Sequence, residues 1–230
     1  FPLYVKLADD ADVKDALSTG YDIRFTQSDG QTLLKYERES WSGGGGSNVT
    51  ADFWVKVPSL AASGDPAKIY LYWKKSGDSD GQDKANVWDS YFRSVYHLNN
   101  AFTDSTAGNR TLTNNGTTDT AGTVARGRNC SGSSQYLYRS SDTGQNFGYS
   151  DATLEAWVNI TEVQPGSPWF NGMVSKSAYD QGHNYGLEFA KDSGEKPRFR
   201  FADQNNYPTM YAESPQSIRD GAWHLSLIHI

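Results

Sequence analysis

Ala51-Asp-Phe-Trp-Val-Lys-Val57 is the stretch that decides the fold class of the first part of the chain. Its residues alternate, so that Phe53, Val55 and Val57 share one face of an extended strand and the residues between them share the other. Successive side chains of a strand point to opposite faces, and such alternation is typical of a strand in an antiparallel sheet. Pro58 ends the strand because proline has no backbone N–H to donate.

A second alternating stretch, Ala152-Thr-Leu-Glu-Ala-Trp-Val-Asn-Ile160, predicts the fold of the later part of the chain, because Leu154, Ala156 and Val158 share one face. Further strand-like segments follow at 173–175, 185–190 and 197–202, which is the spacing of a β-sandwich. We therefore predict an all-β fold: a small N-terminal β-domain with one short helix, then an antiparallel jelly-roll sandwich.

Residues 1–75 carry the other predicted elements of the first domain. These are strands at Phe1–Leu7, Tyr21–Phe25, Leu33–Trp41 and Lys68–Trp73, a helix at Asp9–Leu17 and a flexible loop at Ser42–Ser47. The helix is predicted because acidic residues gather near its N-terminal end, where the helix dipole favours negative charge. The polar, acidic residues 76–94 are interpreted as a linker, which places the second domain at residues 95–230.

Composition excludes several classes of partner. The formal net charge is −6 and no Lys/Arg cluster is present, so a nucleic-acid partner is not expected. The longest apolar runs are far shorter than the roughly 20 residues that cross a bilayer, so we predict no membrane-spanning segment in this chain. Cys130 is the only cysteine, and we expect it to fill a core position as a small apolar side chain.

Residues 1–75 resemble a bacterial domain of unknown function, number 2341. The resemblance is carried by Phe1–Leu7, Tyr21–Phe25, Leu34–Glu37, Phe53–Pro58 and Ile69–Trp73. The family has no established biochemistry, so the resemblance implies a fold unit and no activity.

Residues 95–224 resemble a laminin-G-like, concanavalin A-like lectin/glucanase domain through Val95–Leu98, Gly132–Tyr136, Ala152–Val158, Arg198–Phe201 and Asp220–His224. The resemblance implies two packed antiparallel sheets and sugar or protein binding at the cell surface. The family continues with further strands beyond the Trp-His pair. The resemblance therefore implies a truncated jelly roll, incomplete at its C-terminus, whose tail Leu225–Ile230 departs from the family.

These resemblances lead to three functional hypotheses. The first is a non-catalytic binding or adhesion module for carbohydrate or protein ligands, located outside the cell or in the periplasm. The second is a glycoside hydrolase of concanavalin-like fold. The third is a structural sensor or spacer in an envelope complex, because in bacteria the domain pair also precedes MotA/TolQ/ExbB-type proton-channel segments.

Glu37 and Glu39 are the residues that bear on the hydrolase hypothesis. They lie two apart in a predicted strand, on the same face and roughly 6.5–7 Å apart at the backbone. Paired carboxylates can serve as acid and base in glycoside hydrolysis. The preferred interpretation is an exposed sheet face with no catalytic residue, because the Glu-x-Asp-x-x-Glu string of glucanases with this fold does not occur in the sequence.

Asp78, Asp80 and Asp83 form an oxygen-rich stretch for which two interpretations remain open. It is a solvated acidic linker, which is preferred, or a calcium site on these three carboxylates, with calcium as the one candidate cofactor. It does not match the EF-hand pattern, because its glycine stands at the fourth position.

Aromatic and amide side chains alternate in the loops of the second domain. Flat rings stack on the apolar faces of sugars, and amides hydrogen-bond to hydroxyls. We therefore predict a glycan-binding site, whose candidate residues are Trp169, Tyr179, Asn184, Tyr185, Asn205 and Tyr207.

Overall fold

The computed structural model describes residues 1–60, 68–131, 134–140, 143–145, 151–161, 170–176, 184–190, 196–202 and 208–229. The chain divides into two compact units, Phe1–Asn114 with Thr118–Asn129, and Asn115–Thr117 with Cys130–Ile230. Nearly all of the regular structure is β-strand, which confirms the predicted fold class. Across the described residues, no helix has the length and apolar character needed to cross a membrane.

The first unit is built on two three-stranded sheets, ordered β1-β5-β4 and β3-β2-β6, with a short helix and a hairpin added later in the chain. Its elements are β1 (Pro2–Asp10), β2 (Arg24–Thr26), β3 (Leu33–Leu34), β4 (Tyr36–Gly44), β5 (Ser47–Lys56), β6 (Tyr70–Tyr72), α1 (Lys84–Val87), β8 (Thr118–Ala121) and β9 (Arg126–Asn129), with β7 (Thr113–Asn115) lying between α1 and β8.

The core of this unit lies between the two sheets. Phe53 and Val55 of β5 are fully buried, as the alternation of Ala51–Val57 predicts. The rings of Phe25, Tyr36 and Phe53 pack edge to face, with centroids 5.3 Å apart for Phe25–Tyr36 and Phe25–Phe53. The aromatic geometry and the complete burial together make this cluster the centre of the unit.

The opposite face of β4 and β5 is also covered. Residues 84–106, the covering segment, run across it and bring Trp88 against Trp54 of β5, with ring centroids 5.4 Å apart. The buried Asp104 anchors the segment, since its carboxylate accepts hydrogen bonds from the backbone N–H groups of Val95, Thr106 and Arg110. The β1-β5-β4 sheet is therefore a middle layer.

This arrangement differs from the prediction of a linker over residues 76–94. Asp78 forms an ion pair with Arg24 of β2, and Asp80 forms one with Arg38 of β4. Trp88 is only 6 % exposed. The charges that suggested a solvated linker are used in ion pairs with the domain. Residues 76–114 accordingly belong to the first unit.

The predicted helix at Asp9–Leu17 is wrong. Asp9 and Asp10 end β1, and residues 12–15 form turns stabilised by the Asp10 carboxylate, which accepts hydrogen bonds from the N–H groups of Asp12 and Val13. Val13 and Ala16 are nevertheless buried in the core. Local carboxylate-to-backbone bonds offer the chain an alternative to helix, and here that alternative prevails.

The prediction of a flexible loop at Ser42–Ser47 is also wrong, because the glycines form the tight end of the β4–β5 hairpin. Gly44 pairs with Ser47, and Gly45 and Gly46 both have positive φ. A Cβ on Gly44 would lie 2.6 Å from the carbonyl oxygen of Leu17. The N–H of Gly45 also donates to the carbonyl of Ala16 over 2.7 Å, so tertiary contacts order the turn.

The second unit contains a four-stranded antiparallel sheet, β12-β13-β14-β15, and the strand pair β11-β16. Its elements are β10 (Tyr136–Tyr138), the 3-10 turn Thr143–Gln145, β11 (Thr153–Asn159), β12 (Phe170–Lys176), β13 (Asn184–Ala190), β14 (Lys196–Ala202), β15 (Pro208–Glu213) and β16 (Trp223–His229). Leu154, Phe199 and Ile228 pack together, so the predicted inward face of β11 is confirmed at Leu154.

The end of the chain takes part in this unit. Leu225 to His229 lie in β16 and pair in regular antiparallel register with Thr153 to Trp157 of β11. The predicted departure of the tail is therefore wrong, because the tail forms a strand of this fold. Cys130 is exposed, contrary to the core position expected for it.

Candidate functional site

The outer face of β4 carries a buried cluster of titratable side chains, Glu37, Glu39 and His97, which we call the Glu–His–Glu cluster. The pairing register with β5 shifts between Arg38 and Ser40, so Glu39 is the extra residue of a β-bulge. Glu37, Glu39 and Ser40 all make side-chain contacts on this face. His97 reaches the cluster from the covering segment.

Glu37 accepts hydrogen bonds at both carboxylate oxygens. Its Oε1 accepts from the hydroxyl of Ser105 over 2.6 Å. Its Oε2 accepts from the indole N–H of Trp88 over 2.8 Å and lies 3.0 Å from Nε2 of His97. The side chain is only 6 % exposed. A buried carboxylate needs this many partners to offset the loss of hydration.

Glu39 contacts the other ring nitrogen of His97. Its Oε2 lies 3.3 Å from Nδ1 of His97 and accepts from the indole N–H of Trp54 over 2.6 Å. Its backbone carbonyl accepts from the side-chain amide of Asn99 over 2.7 Å. The glutamate side chain is 2 % exposed. One imidazole therefore bridges two carboxylates through its two nitrogens.

Two tryptophans enclose the imidazole. The rings of Trp54 and His97 stack with centroids 5.7 Å apart and an angle of 19° between their planes. Trp88 packs on His97 at the same centroid distance, and Phe92 packs on Trp88. Aromatic faces carry negative potential, so this surrounding favours a cationic imidazolium.

The pKa values of the three groups move in different directions. Burial raises the pKa of Glu37, but the bonds from His97, Ser105 and Trp88 outweigh it, so that the net pKa is below the ordinary 4.5. Burial raises the pKa of Glu39 above 4.5, with Asp52 and Glu37 adding to the rise. Burial alone would lower the pKa of His97, and the two glutamates raise it above 6.5.

Asp52 continues the polar layer beside Glu39. Its carboxylate accepts from the hydroxyl of Tyr4 over 2.5 Å and from the hydroxyl of Ser40 over 2.6 Å. Burial and the neighbouring Asp52 raise the pKa of Tyr4 well above its ordinary value, because a phenolate would be repelled there. The carboxylates of Glu37, Glu39 and Asp52 on this face thus all accept hydrogen bonds from side chains of the same unit.

An open depression of about 490 Å³ lies next to the cluster. It is lined by Glu37, Arg38, Gln82, Asp83, Lys84 and Ala85. The Glu37 carboxylate, which is bonded to other side chains, is little exposed to water. The cluster can hold and release protons, and in this arrangement its three groups contact one another while Glu37 also lines the depression.

The structure corrects the prediction of an exposed face for Glu37 and Glu39, since both side chains are buried. His97 was not predicted as their partner. The one signal in the sequence was the return of apolar residues between Val87 and Leu98, which indicates a packed segment. The pairing itself joins residues about 60 positions apart, which no local pattern reports.

Asp78, Asp80 and Asp83, the candidate calcium ligands, bind three different cations. Asp78 pairs with Arg24 at 3.1 Å, Asp80 with Arg38 at 2.9 Å, and Asp83 with Lys35 at 2.8 Å. In the part of the chain that the structure describes, no group of three or more His, Cys, Asp or Glu side chains is placed to hold a metal ion. Calcium binding stays a prediction.

The predicted glycan-binding residues fall mostly outside the described residues. These are Trp169, Tyr179, Asn205 and Tyr207. Asn184 and Tyr185 begin β13, where their backbones pair with Ala202 and Phe201 of β14. The two candidates therefore lie at the start of a central strand of the four-stranded sheet, beside the last residues of β14.

The fold defines a two-unit all-β protein whose second unit is built from antiparallel sheets. Residues 19–112 match the model of the Domain of unknown function (DUF2341). Residues 131–228 match the model of the Concanavalin A-like lectin/glucanases superfamily. The two matches confirm both resemblances in their predicted order, and the second extends through most of β16. Neither a curated protein nor a solved structure matches the chain.

Proposed function

We propose that the chain is a non-catalytic binding module that takes carbohydrate, or a protein ligand, through its concanavalin A-like unit outside the cell or in the periplasm. The observation that carries the proposal is the match of residues 131–228 to the lectin/glucanase superfamily. The antiparallel strands β12 to β15 form a sheet of the kind from which such a fold presents its loops.

Tyr185 and Asn184 are the described positions at which the proposal can be tested. We expect the intact chain to bind at least one polysaccharide on a glycan array. Tyr185→Ala removes a ring worth about 0.5–1.5 kcal/mol of stacking, so affinity for that glycan should fall up to tenfold. Titration calorimetry with the glycan identified on the array measures the change.

Tyr91→Ala is the matched control, because Tyr91 belongs to the first unit and its side chain is 92 % exposed. It should leave glycan affinity unchanged. Binding that survives Tyr185→Ala at full strength would remove this residue from the site. An array without any bound polysaccharide, combined with no captured envelope protein, would contradict the module itself.

A glycoside hydrolase is the second candidate, and the divergent pKa values of Glu37 and Glu39 favour it. A carboxyl group with a raised pKa suits the role of general acid, and one with a lowered pKa suits that of base or nucleophile. Both groups are covered by tryptophans, and their oxygens accept bonds from Ser105, Trp88 and Trp54. This coverage favours the binding module. Reducing-sugar release that disappears in Glu37→Gln or Glu39→Gln would support the hydrolase instead.

A further inference from the structure

His97 joins two layers of the first unit. It belongs to the covering segment, and both of its ring nitrogens contact carboxylates of β4. Trp88 and Ser105 of the same segment also donate to Glu37, and Asn99 donates to the Glu39 carbonyl. Most polar contacts between the segment and the sheet therefore meet at two glutamates.

The charge on the imidazole decides how many of these contacts are attractive. An imidazolium has two N–H donors and satisfies Glu37 and Glu39 together. A neutral imidazole has one N–H, so its other nitrogen presents a lone pair to a carboxylate oxygen at 3.0 or 3.3 Å. One of the two contacts then becomes repulsive, and a buried carboxylate loses a partner.

Other charged groups around the cluster do not replace the lost proton. Asp52 of β5 is already bonded to Tyr4 and Ser40 and adds negative charge beside Glu39. Lys84 of α1 is the cation that acts on His97 from the covering segment, and it opposes protonation of the ring. The groups that face His97 are therefore Glu37, Glu39 and Lys84, with Asp52 and Tyr4 behind Glu39.

We propose that the Glu–His–Glu cluster is a proton-dependent clamp: protonated His97 holds the covering segment on the sheet, and loss of this proton loosens the segment. Release uncovers Trp54 and Trp88, which the closed clamp keeps against His97. The clamp acts in the first unit and does not depend on the function proposed for the second unit.

The direction of the pH effect follows from the raised pKa of His97. A group whose folded pKa is raised contributes stability that is complete below its ordinary pKa, here 6.5. That contribution is lost as pH rises through the raised value. Between the two values one proton leaves on opening, so the opening equilibrium constant rises by up to about tenfold per pH unit.

Hydrogen–deuterium exchange on the whole chain tests the clamp. In the wild type, protection factors of amides at residues 87–99 should fall by up to about tenfold per pH unit above pH 6.5. In Glu39→Gln, the amide can donate to Nδ1 of neutral His97 while Glu37 still favours the imidazolium, so the same protection should fall less steeply with pH than in the wild type. The matched control Glu155→Gln, at an exposed position of β11, should keep the wild-type pH dependence.

Two results would overturn the clamp: protection in the wild type that does not change with pH, or an unchanged pH dependence in Glu39→Gln. Where Glu39→Gln fails to fold, the imidazole resonances of His97 in the wild type provide the second measurement. A titration above pH 6.5 supports the clamp, and one at or below 6.5 overturns it.

Discussion

Glu37 and Glu39 show how strongly neighbours decide the behaviour of a single residue. They are the same residue type, two positions apart, and both contact His97. Glu37 accepts from Ser105, Trp88 and His97, which lowers its pKa despite burial. Glu39 has one indole donor and a longer contact with His97, so burial prevails and its pKa is raised.

This difference predicts unequal costs for two matched substitutions. Glu37→Gln removes a carboxylate that the fold prefers ionised and should lower the unfolding free energy by about 2–4 kcal/mol at pH 7. Glu39→Gln replaces a carboxyl whose pKa burial raises, so its ionised form is less favoured by the fold, and the substitution should cost less than Glu37→Gln. Urea unfolding followed by tryptophan fluorescence compares the two. Equal losses would show that donor number does not govern the pair.

At the scale of an element, the β4–β5 hairpin illustrates a turn that tertiary contacts shape. Gly44 has φ +75, and a Cβ added to it would clash with the backbone of Leu17. Gly46 has φ +102 and nothing within 4 Å of an added Cβ. The positive φ disfavours any residue with a Cβ at both positions, and only at Gly44 would the Cβ also clash with a neighbouring segment of the chain.

Gly44→Ala is therefore expected to destabilise the first unit by about 2–4 kcal/mol, from strain in φ together with the clash. Gly46→Ala carries the strain alone and should cost about 1–2 kcal/mol. Thermal unfolding measured by circular dichroism separates the two contributions. Identical losses of stability in the two variants would mean that the backbone at Leu17 shifts without energetic cost to accommodate the added Cβ.

At the scale of the whole molecule, each unit has its own apolar cluster. Phe53 lies in the cluster of the first unit and is 0 % exposed, and Phe199 lies in that of the second and is 5 % exposed. Domains with separate cores unfold as separate cooperative units. We expect two transitions in calorimetry of the whole chain.

Substitution in each core should move one transition. Phe53→Ala and Phe199→Ala each remove a buried ring and should lower the free energy of the affected unit by about 3–5 kcal/mol. The melting temperature of the other transition should be the same as in the wild type. A single transition, or a joint shift of both in either variant, would show that the two units unfold together.

The pH dependence of stability belongs to the first unit. Above pH 6.5, stability should fall as His97 loses its proton, and the raised pKa of Glu39 acts in the same direction from 4.5 upward. On the acid side, the lowered pKa of Glu37 contributes stability that is lost as pH falls below 4.5 and through its folded value. Melting temperature as a function of pH should therefore fall on both sides for the first transition.

Much of the architecture was predictable from local patterns. The alternation at Ala51–Val57 and at Ala152–Ile160 correctly predicted β5 and β11 and the inward face of each strand. Period-two alternation is a property of consecutive residues, so it survives without knowledge of the rest of the chain. The helix at Asp9–Leu17 failed because the Asp10 side chain bonds to the backbone and forms a turn there.

The candidate site was only half predictable. Paired glutamates are visible in the sequence, but their burial depends on residues 84–106, of which 84–94 are interpreted from the sequence as linker and 95–106 as part of the second domain. The ion pairs of Asp78 and Asp80 with Arg24 and Arg38 reverse that interpretation, and each joins residues more than 40 positions apart.

By itself the sequence determined the β-class of both units, the inward faces of their principal strands and the order of the two family resemblances, because these depend on neighbouring residues in the chain. Only the tertiary structure decided that a third layer covers β4 and β5 and that His97 lies between Glu37 and Glu39. Such contacts depend on burial and on distances across the fold, and a carboxylate two residues from another becomes acid, base or clamp only when its partners are in place.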